Sequence, residues 1–321
     1  MPRVSNPLNR LREIPGRKPQ SGASKLGGQG AGLGAGLGAG ARGRQHGESI
    51  MANWIVKNQG GLRIYQAATV SWLPGIIQGC TTRQGGVSAA PYESLNLSLA
   101  CGDIQSDVLA NRARLAQALG IASDKMVYAE QPHGAEVVIV EHEQSEPVAG
   151  ADALITAVPG LLLTMLFADC MPIYIVEPVK KIVALIHSGW RGTAANIIHR
   201  TAVVLKNQLD VSPRACYVAI GPSIGETNYE VGAEGADRFR DSYSSLGNTP
   251  VMLKNEMIGT WTLNLRSIAF SQLINTGYRP ESIAVCDEDT YANSKDFFSH
   301  RRESHAGMKT GRMAAILGIA G

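Results

Sequence analysis

The stretch from Leu161 to His187 constrains the fold more than any other part of the chain. LLLTMLFA (161–168) is continuously apolar, as a strand buried on both faces requires. It is followed by Asp169-Cys170-Met171-Pro172, by the strand-like PIYIVEP (172–178) and by KKIVALIH (180–187). Three buried strands in succession need a large core, and a 321-residue chain with 44% hydrophobic residues can supply one. Cys170 falls at the break between the first two strands, and His187 ends the third.

Around this centre the pattern is mostly of short apolar runs separated by turns. From Ile55 onward, Val70–Ile77 and Met126–Ala129 read as strands, and Glu136–Glu141 as another after the turn QPHG. A helix is expected over Val108–Leu119, with Leu109, Arg112, Leu115, Ala116 and Leu119 on one face and Gly120 as its stop. SGWRGTAANIIHRTAVVLKNQL reads as a loop entering a long helix that turns Ile197, Ile198, Ala202 and Leu205 inward. CYVAIGPSIG is a strand running into a Gly/Pro loop, Trp261–Leu273 reads as helical, and the chain ends on a strand.

Residues 1–50 stand apart, because their Gly/Ala/Arg-rich composition offers little to bury against the entropy of ordering. They carry eight Lys/Arg against two Glu, a net +6, so the whole-chain +3 leaves −3 for the remainder. A slightly acidic body gives no reason to expect nucleic acid as the main partner. The tail reads as disordered, as a basic arm or as a transit-like segment; equally, Met51 begins the periodic sequence, so that initiation there would yield the compact part (51–321) alone. No apolar stretch is long enough for a membrane span, and five scattered cysteines without a signal peptide point to a reducing, cytoplasmic setting with free thiols.

Three side chains capable of chemistry sit at turns or strand ends: His133 in QPHG, Cys170 in ADCMP and His187 in HSGWRG. Two imidazoles and a thiolate make a three-ligand metal set with a fourth position open, although their separations form no local fingerprint. The same atoms also suit a nucleophile, Cys170, with His187 as base and Asp169 or another acceptor as orienter. Arg83, Arg191, Arg301 and Arg312, with Arg302 beside them, lie near Gly-rich turns suited to an anion. GQGAGLGAG has no preceding strand or following helix and is no dinucleotide fingerprint.

At these residues the sequence resembles the YfiH-type family, long labelled multicopper polyphenol oxidase or laccase-domain proteins. The resemblance runs from about Trp54 to the C-terminus, through CTTRQGGVSAAPYESLNLS, NRARLAQALG, QPHGAEV, ADALIT, ADCMPIYI, HSGWRGTAANI, AIGPSIGETNYEV and FFSHRRESHAGMKTGRMAAI. It implies one domain of α+β class, layered α/β/β/α with mixed sheets. It also implies zinc on His133, Cys170 and His187, which double as the catalytic residues. The implied reaction is phosphorolysis of adenosine, inosine, guanosine or 5′-methylthioadenosine, with adenosine deamination alongside and Arg83, Arg191, Arg301 and Arg312 on substrate or phosphate. Ser188 stands where the family has Ala, and His300 and SHAGMK depart from its pattern around the last arginines.

The laccase label meets an arithmetic limit. A trinuclear copper cluster with a blue-copper site needs about ten histidines, and the chain has seven. Copper at the zinc position, with weak phenol oxidation, stays open as an alternative, as does a cysteine hydrolase acting in peptidoglycan editing. The expected partners are small purine nucleosides and phosphate.

Overall fold

In the computed structural model, residues 54–243, 245–246, 249–255 and 259–321 are described, all within one compact unit, Glu48–Gly321. The expected tail, residues 1–50, lies outside them. In chain order the main elements are β1 (Trp54–Gln59), β2 (Leu62–Ala67), α1 (Ala68–Ser71), β3 (Ile76–Thr81), α2 (Gln105–Leu119), β4 (Met126–Tyr128), β5 (Glu136–Ile139), β6 (Ala151–Thr156), β7 (Leu162–Phe167), β8 (Met171–Glu177) and β9 (Ile182–Ser188). There follow α3 (Trp190–Ala194), α4 (Ile197–Leu209), β10 (Tyr217–Ile220), β11 (Glu230–Val231), α5 (Ala233–Tyr243), β12 (Ser245–Leu246), β13 (Thr249–Pro250), β14 (Met252–Asn255), β15 (Thr260–Leu263), α6 (Leu265–Thr276), β16 (Ile283–Val285), α7 (His300–His305) and β17 (Met313–Ile319).

Two six-stranded mixed sheets, ordered β1-β2-β3-β17-β7-β4 and β16-β10-β8-β9-β6-β5, form the centre. Alternation along each strand dictates how they stack. On β8 and β9, Tyr174, Val176, Val183 and Leu185 join Leu163, Met165 and Phe167 of β7 and Leu317 of β17 in a core between the sheets. The intervening Ile173, Ile175, Ala184 and Ile186 pack on the other side against Ile198, Ala202 and Leu205 of α4 and Ile268 and Leu273 of α6. The outer face of the first sheet, with Ile64, Leu162 and Ile316, meets Leu115 and Ala116 of α2. The chain is thus an α+β domain with the order α/β/β/α, and the central apolar runs are apolar throughout because both their faces are covered.

Four local expectations need correction. Val70–Ile77 is not one strand: Pro74-Gly75 breaks it, with Gly75 at φ +75°, so a short helix precedes it and β3 begins only at Ile76. The segment from Trp261 is a strand before it is a helix; β15 pairs with β11 and β14, and α6 starts after Asn264, whose side chain caps it by accepting from the Ser267 N–H at 3.0 Å. Helix α2 buries Val108, Asn111, Leu115 and Ala116, while Leu109 is 49% exposed. The inward face is turned by a buried polar residue: Asn111 accepts from the Val87 N–H at 2.8 Å and donates to Ser88, Ser94 and Asn96, holding the 87–96 loop on the helix. The expected loop before α4 contains the short helix α3, separated from α4 by Asn196 at φ +58°.

Candidate metal centre

Strand register brings the site together at one end of the two-sheet stack. Pro172 pairs with His187 and Met171 with Ser188, so the Asp169-Cys170 break before β8 lies beside Gly189 after β9. Ala153 pairs with Ile186, which sets Asp152 of β6 next to His187 on the other side. His187 shares the face of Val183 and Leu185 and reaches the end of the inter-sheet core, its ring 5.3 Å from that of Phe167. His133 arrives from the QPHG turn, where Gln131 and His133 have φ of +59° and +66°. That turn is clamped: the Gln131 amide donates to Leu166 O at 2.8 Å and accepts from the Leu166 N–H at 2.7 Å.

The nitrogen and sulfur atoms of His133, Cys170 and His187 all lie within 4.8 Å of one another, the arrangement expected of a set that can hold a metal ion. His133 is exposed, Cys170 half-buried and His187 buried, so the group opens on one side. Asp152, fully buried, organises it. One carboxylate oxygen lies 2.8 Å from His187 Nδ1 and accepts from the His133 N–H at 3.2 Å, and the other accepts from the Gly134 N–H at 2.6 Å. With Nδ1–H donated to the carboxylate, His187 offers Nε2 as a ligand.

Space is kept as carefully as orientation. A Cβ on Gly189 would stand 2.8 Å from Cys170 Sγ and 3.5 Å from His133 Cδ2, so any side chain there would intrude among the donors. Burial alone would raise the Cys170 thiol pKa, but the His187 charge and hydrogen bonds from His133 and His187 more than offset it and bring it to about 6. His187 is the counterpart: burial disfavours its charged form, yet the Cys170 thiolate and Asp152 hold its pKa up at about 9. A soft thiolate, two imidazoles, an oriented tautomer and reserved space fit a zinc-like ion. The same Cys170–His187–Asp152 order also fits a nucleophile, base and orienter. Asp169 does not take the orienting role, because its carboxylate is occupied by Thr290 Oγ1–H and the Arg301 N–H, both at 2.7 Å.

The trio opens into a cleft of about 1700 Å³. Arg191, Arg301 and Arg312 line it; Arg83 does not. Arg191 stacks on Trp190 at 4.3 Å and Arg301 on Tyr229 at 5.1 Å, and Arg301 also donates to Glu230 O. Arg312 is tied to the carbonyls of Thr310 and Gly311. Arg83 is occupied elsewhere, donating to Glu93 O and Ser294 O and lying over Phe298. Arg302 is likewise spent on the carbonyls of Thr290, Tyr291 and Phe297 and on Glu303. Sequence reasoning missed Asp152, although a lone carboxylate inside the apolar ADALIT strand is a signal that a buried partner awaits it. It also missed Arg112, Lys309 and Tyr229 in the cleft lining, which lie inside the family-like segments NRARLAQALG, FFSHRRESHAGMKTGRMAAI and AIGPSIGETNYEV without standing out there by residue type.

Among the described residues no helix is long and apolar enough to cross a membrane. Residues 77–320 match the family described as multi-copper polyphenol oxidoreductase laccase. A protein of Geobacillus stearothermophilus named purine nucleoside phosphorylase YlmD is 35% identical over 270 residues, covering 79% of this chain and 97% of that protein. A Deinococcus radiodurans protein named purine nucleoside phosphorylase is 38% identical over 239 residues, 74% of this chain and 87% of its own. The crystal structure of Bacillus licheniformis YfiH superposes with a TM-score of 0.75 at 27% identity, over 84% of this chain and 100% of that one. With the match running almost from β3 to the C-terminus, this chain belongs to the multi-copper polyphenol oxidoreductase laccase family, among the YfiH- and YlmD-type proteins.

Proposed function

We propose that this protein is a zinc-dependent purine nucleoside phosphorylase that splits adenosine, inosine, guanosine or 5′-methylthioadenosine with phosphate, giving free base and a ribose 1-phosphate, and that it deaminates adenosine as a second activity. The observation that carries the reading is one juxtaposition: a His-Cys-His donor set, held by a buried carboxylate, at the wall of a cleft lined by arginines. The names of the relatives support the same reaction class.

His133, Cys170 and His187 would hold the ion, and copper is the metal that would substitute for it. When bound, zinc would supply Lewis acidity to both reactions and an activated water to the deamination alone. Asp152 keeps His187 in one tautomer and fixes the entry of the His133 turn. Arg191 and Arg301 receive orthophosphate, each guanidinium lying over an aromatic ring. Bringing phosphate and nucleoside together in one orientation is itself a large part of the acceleration. Arg83, outside the cleft lining, has no part in this reading.

The test is to load the full chain with zinc, supply adenosine and phosphate, identify the products by mass and measure metal content. Cys170→Ala should lose the zinc and both activities. Undiminished phosphorolysis by that metal-free variant overturns the assignment. A second reading, a cysteine hydrolase of the peptidoglycan-editing kind, is favoured by one observation, the depressed Cys170 thiol beside an Asp152-oriented His187. Inactivation by iodoacetamide of a zinc-free protein that turns over a muropeptide amide would select it.

A further inference from the structure

The cleft is larger than a nucleoside and one phosphate need. Small-molecule pockets commonly run to about 300–1,000 Å³, against about 1700 Å³ here. Besides Arg191 and Arg301, it is lined by a second set of cations, Arg112, Lys309 and Arg312. The backbone draws two of them together: Arg112 Nε donates to Leu97 O at 2.9 Å, and the Leu97 N–H donates to Arg312 O at 3.1 Å. Arg112 lies over the Tyr128 ring, its Cζ 4.0 Å from the ring centroid. The Lys309 ammonium lies above Gly102, 3.1 Å from where a Cβ would stand, in the adjoining wall formed by Ser98–Cys101.

Two facts mark this wall as built for a ligand. Among the described residues, none of the three cations has a carboxylate within 4.0 Å, although Asp124, Glu143 and Glu146 line the same cleft. The remaining guanidinium N–H groups of Arg112 are uncommitted. In addition, Thr310, 5% exposed, lines this wall with its Oγ1 unpartnered, and the buried Tyr128 hydroxyl is unpartnered too. Buried hydroxyls normally find partners, and unpaired cations next to them favour an anion with several acceptor oxygens.

We propose that Arg112, Lys309 and Arg312 form a second anion subsite, separate from Arg191 and Arg301, and that it holds the phosphoryl group of a purine nucleoside 5′-phosphate. The inference rests on the phosphorylase reading for the nucleoside part, while the anion part stands on the cations and hydroxyls just described. The ligand then spans the cleft, its 5′ end on the Arg112 wall.

The experiment measures binding rather than turnover, so that a failure of phosphorolysis and a failure of this subsite are told apart. The zinc-loaded full chain is titrated calorimetrically with adenosine, with adenosine 5′-monophosphate and with orthophosphate. The monophosphate should bind at least about tenfold more tightly than adenosine, as hydrogen bonds to charged groups allow. Lys309→Ala, at an exposed position, and Arg112→Ala should each lower the ratio of monophosphate to adenosine affinity by about tenfold, and Arg112→Lys should recover part of that loss. Equal binding of adenosine and its monophosphate by the unaltered chain overturns the proposal. So does an unchanged ratio in both alanine variants. A loss of orthophosphate affinity by the same factor as the monophosphate assigns the wall to free phosphate instead and overturns it as well.

Discussion

The two ends of the cleft are built on opposite principles. At the metal end nearly every group has a partner: Asp152 spends both oxygens on His133, Gly134 and His187, and Gln131 clamps the turn through Leu166. Along the arginine walls the cations rest on rings or backbone carbonyls, with no carboxylate within 4.0 Å among the described residues. The first end is cross-linked by its own hydrogen bonds. The second keeps its charge uncompensated by ion pairs among the described residues. Reaction chemistry needs donors fixed to within fractions of an ångström, whereas anion capture tolerates a mobile guanidinium.

The sharpest way to break this contrast is Gly189→Ala. The backbone there, at φ −82° and ψ −178°, is open to any residue, so the substitution acts only through its methyl group. That methyl would sit 2.8 Å from Cys170 Sγ. Zinc affinity, read by competition with a chelator, should fall about 100-fold while the fold is kept. An alanine variant that binds zinc like the parent would mean that the space beside Cys170 is not reserved.

Next in size is a proton effect in the protein stripped of metal. Cys170, brought to about 6, contributes stability that is complete above its ordinary value near 9 and is lost as pH falls through about 6. His187, raised to about 9, contributes stability that is complete below its ordinary value near 6.5 and is lost as pH rises through about 9. Between about 6.5 and 9 the two slopes oppose each other. Folding there moves a proton from thiol to imidazole without net uptake, so the pair leaves metal-free stability nearly level across that window. The thiolate itself is the readout: alkylation of the Cys170 peptide, followed by mass spectrometry, should have its midpoint near 6. A midpoint near 9 would dissolve the ion pair and with it the preorganised metal end.

Asp152→Asn should cost about 10- to 100-fold in zinc affinity, the usual loss when a carboxylate behind a ligating histidine is removed. An amide of the same shape must present a donor to at least one of the N–H groups the carboxylate now satisfies. Asp152→Glu, which keeps the charge but displaces it, should fall between the two. Parent-like zinc affinity in the asparagine variant would reduce Asp152 to a structural residue.

How much of this was legible beforehand differs between the same two ends. The buried strands around Cys170 and His187 declare themselves by unbroken hydrophobicity, and the donors by their place at strand ends. Asp152 was hidden because its meaning depends on register: only the Ala153–Ile186 pairing sets it opposite His187. The arginines were readable as residues but not by destination. Arg83, Arg191, Arg301, Arg302 and Arg312 have alike local sequence, rich in Gly and aromatic residues, yet Arg83 and Arg302 are consumed by distant carbonyls. Helix α2 misled for a related reason, since Asn111 occupies a buried position that hydrophobicity alone gives to an apolar residue.

The smallest effect probes the loose end by itself. Arg191 is exposed, lies over the Trp190 ring and makes no ion pair among the described residues, so Arg191→Ala should change stability by no more than about 0.5 kcal/mol. If it receives orthophosphate, losing one charge-assisted contact should raise the KM for phosphate by about tenfold. The KM for nucleoside should move less, and zinc content should not move at all. Initial rates at varied phosphate, with thermal unfolding and metal analysis on the same preparation, separate these outcomes. A change in zinc content would show that the two ends are mechanically joined, and the division of labour between a rigid metal end and an adaptable anion wall would then be wrong.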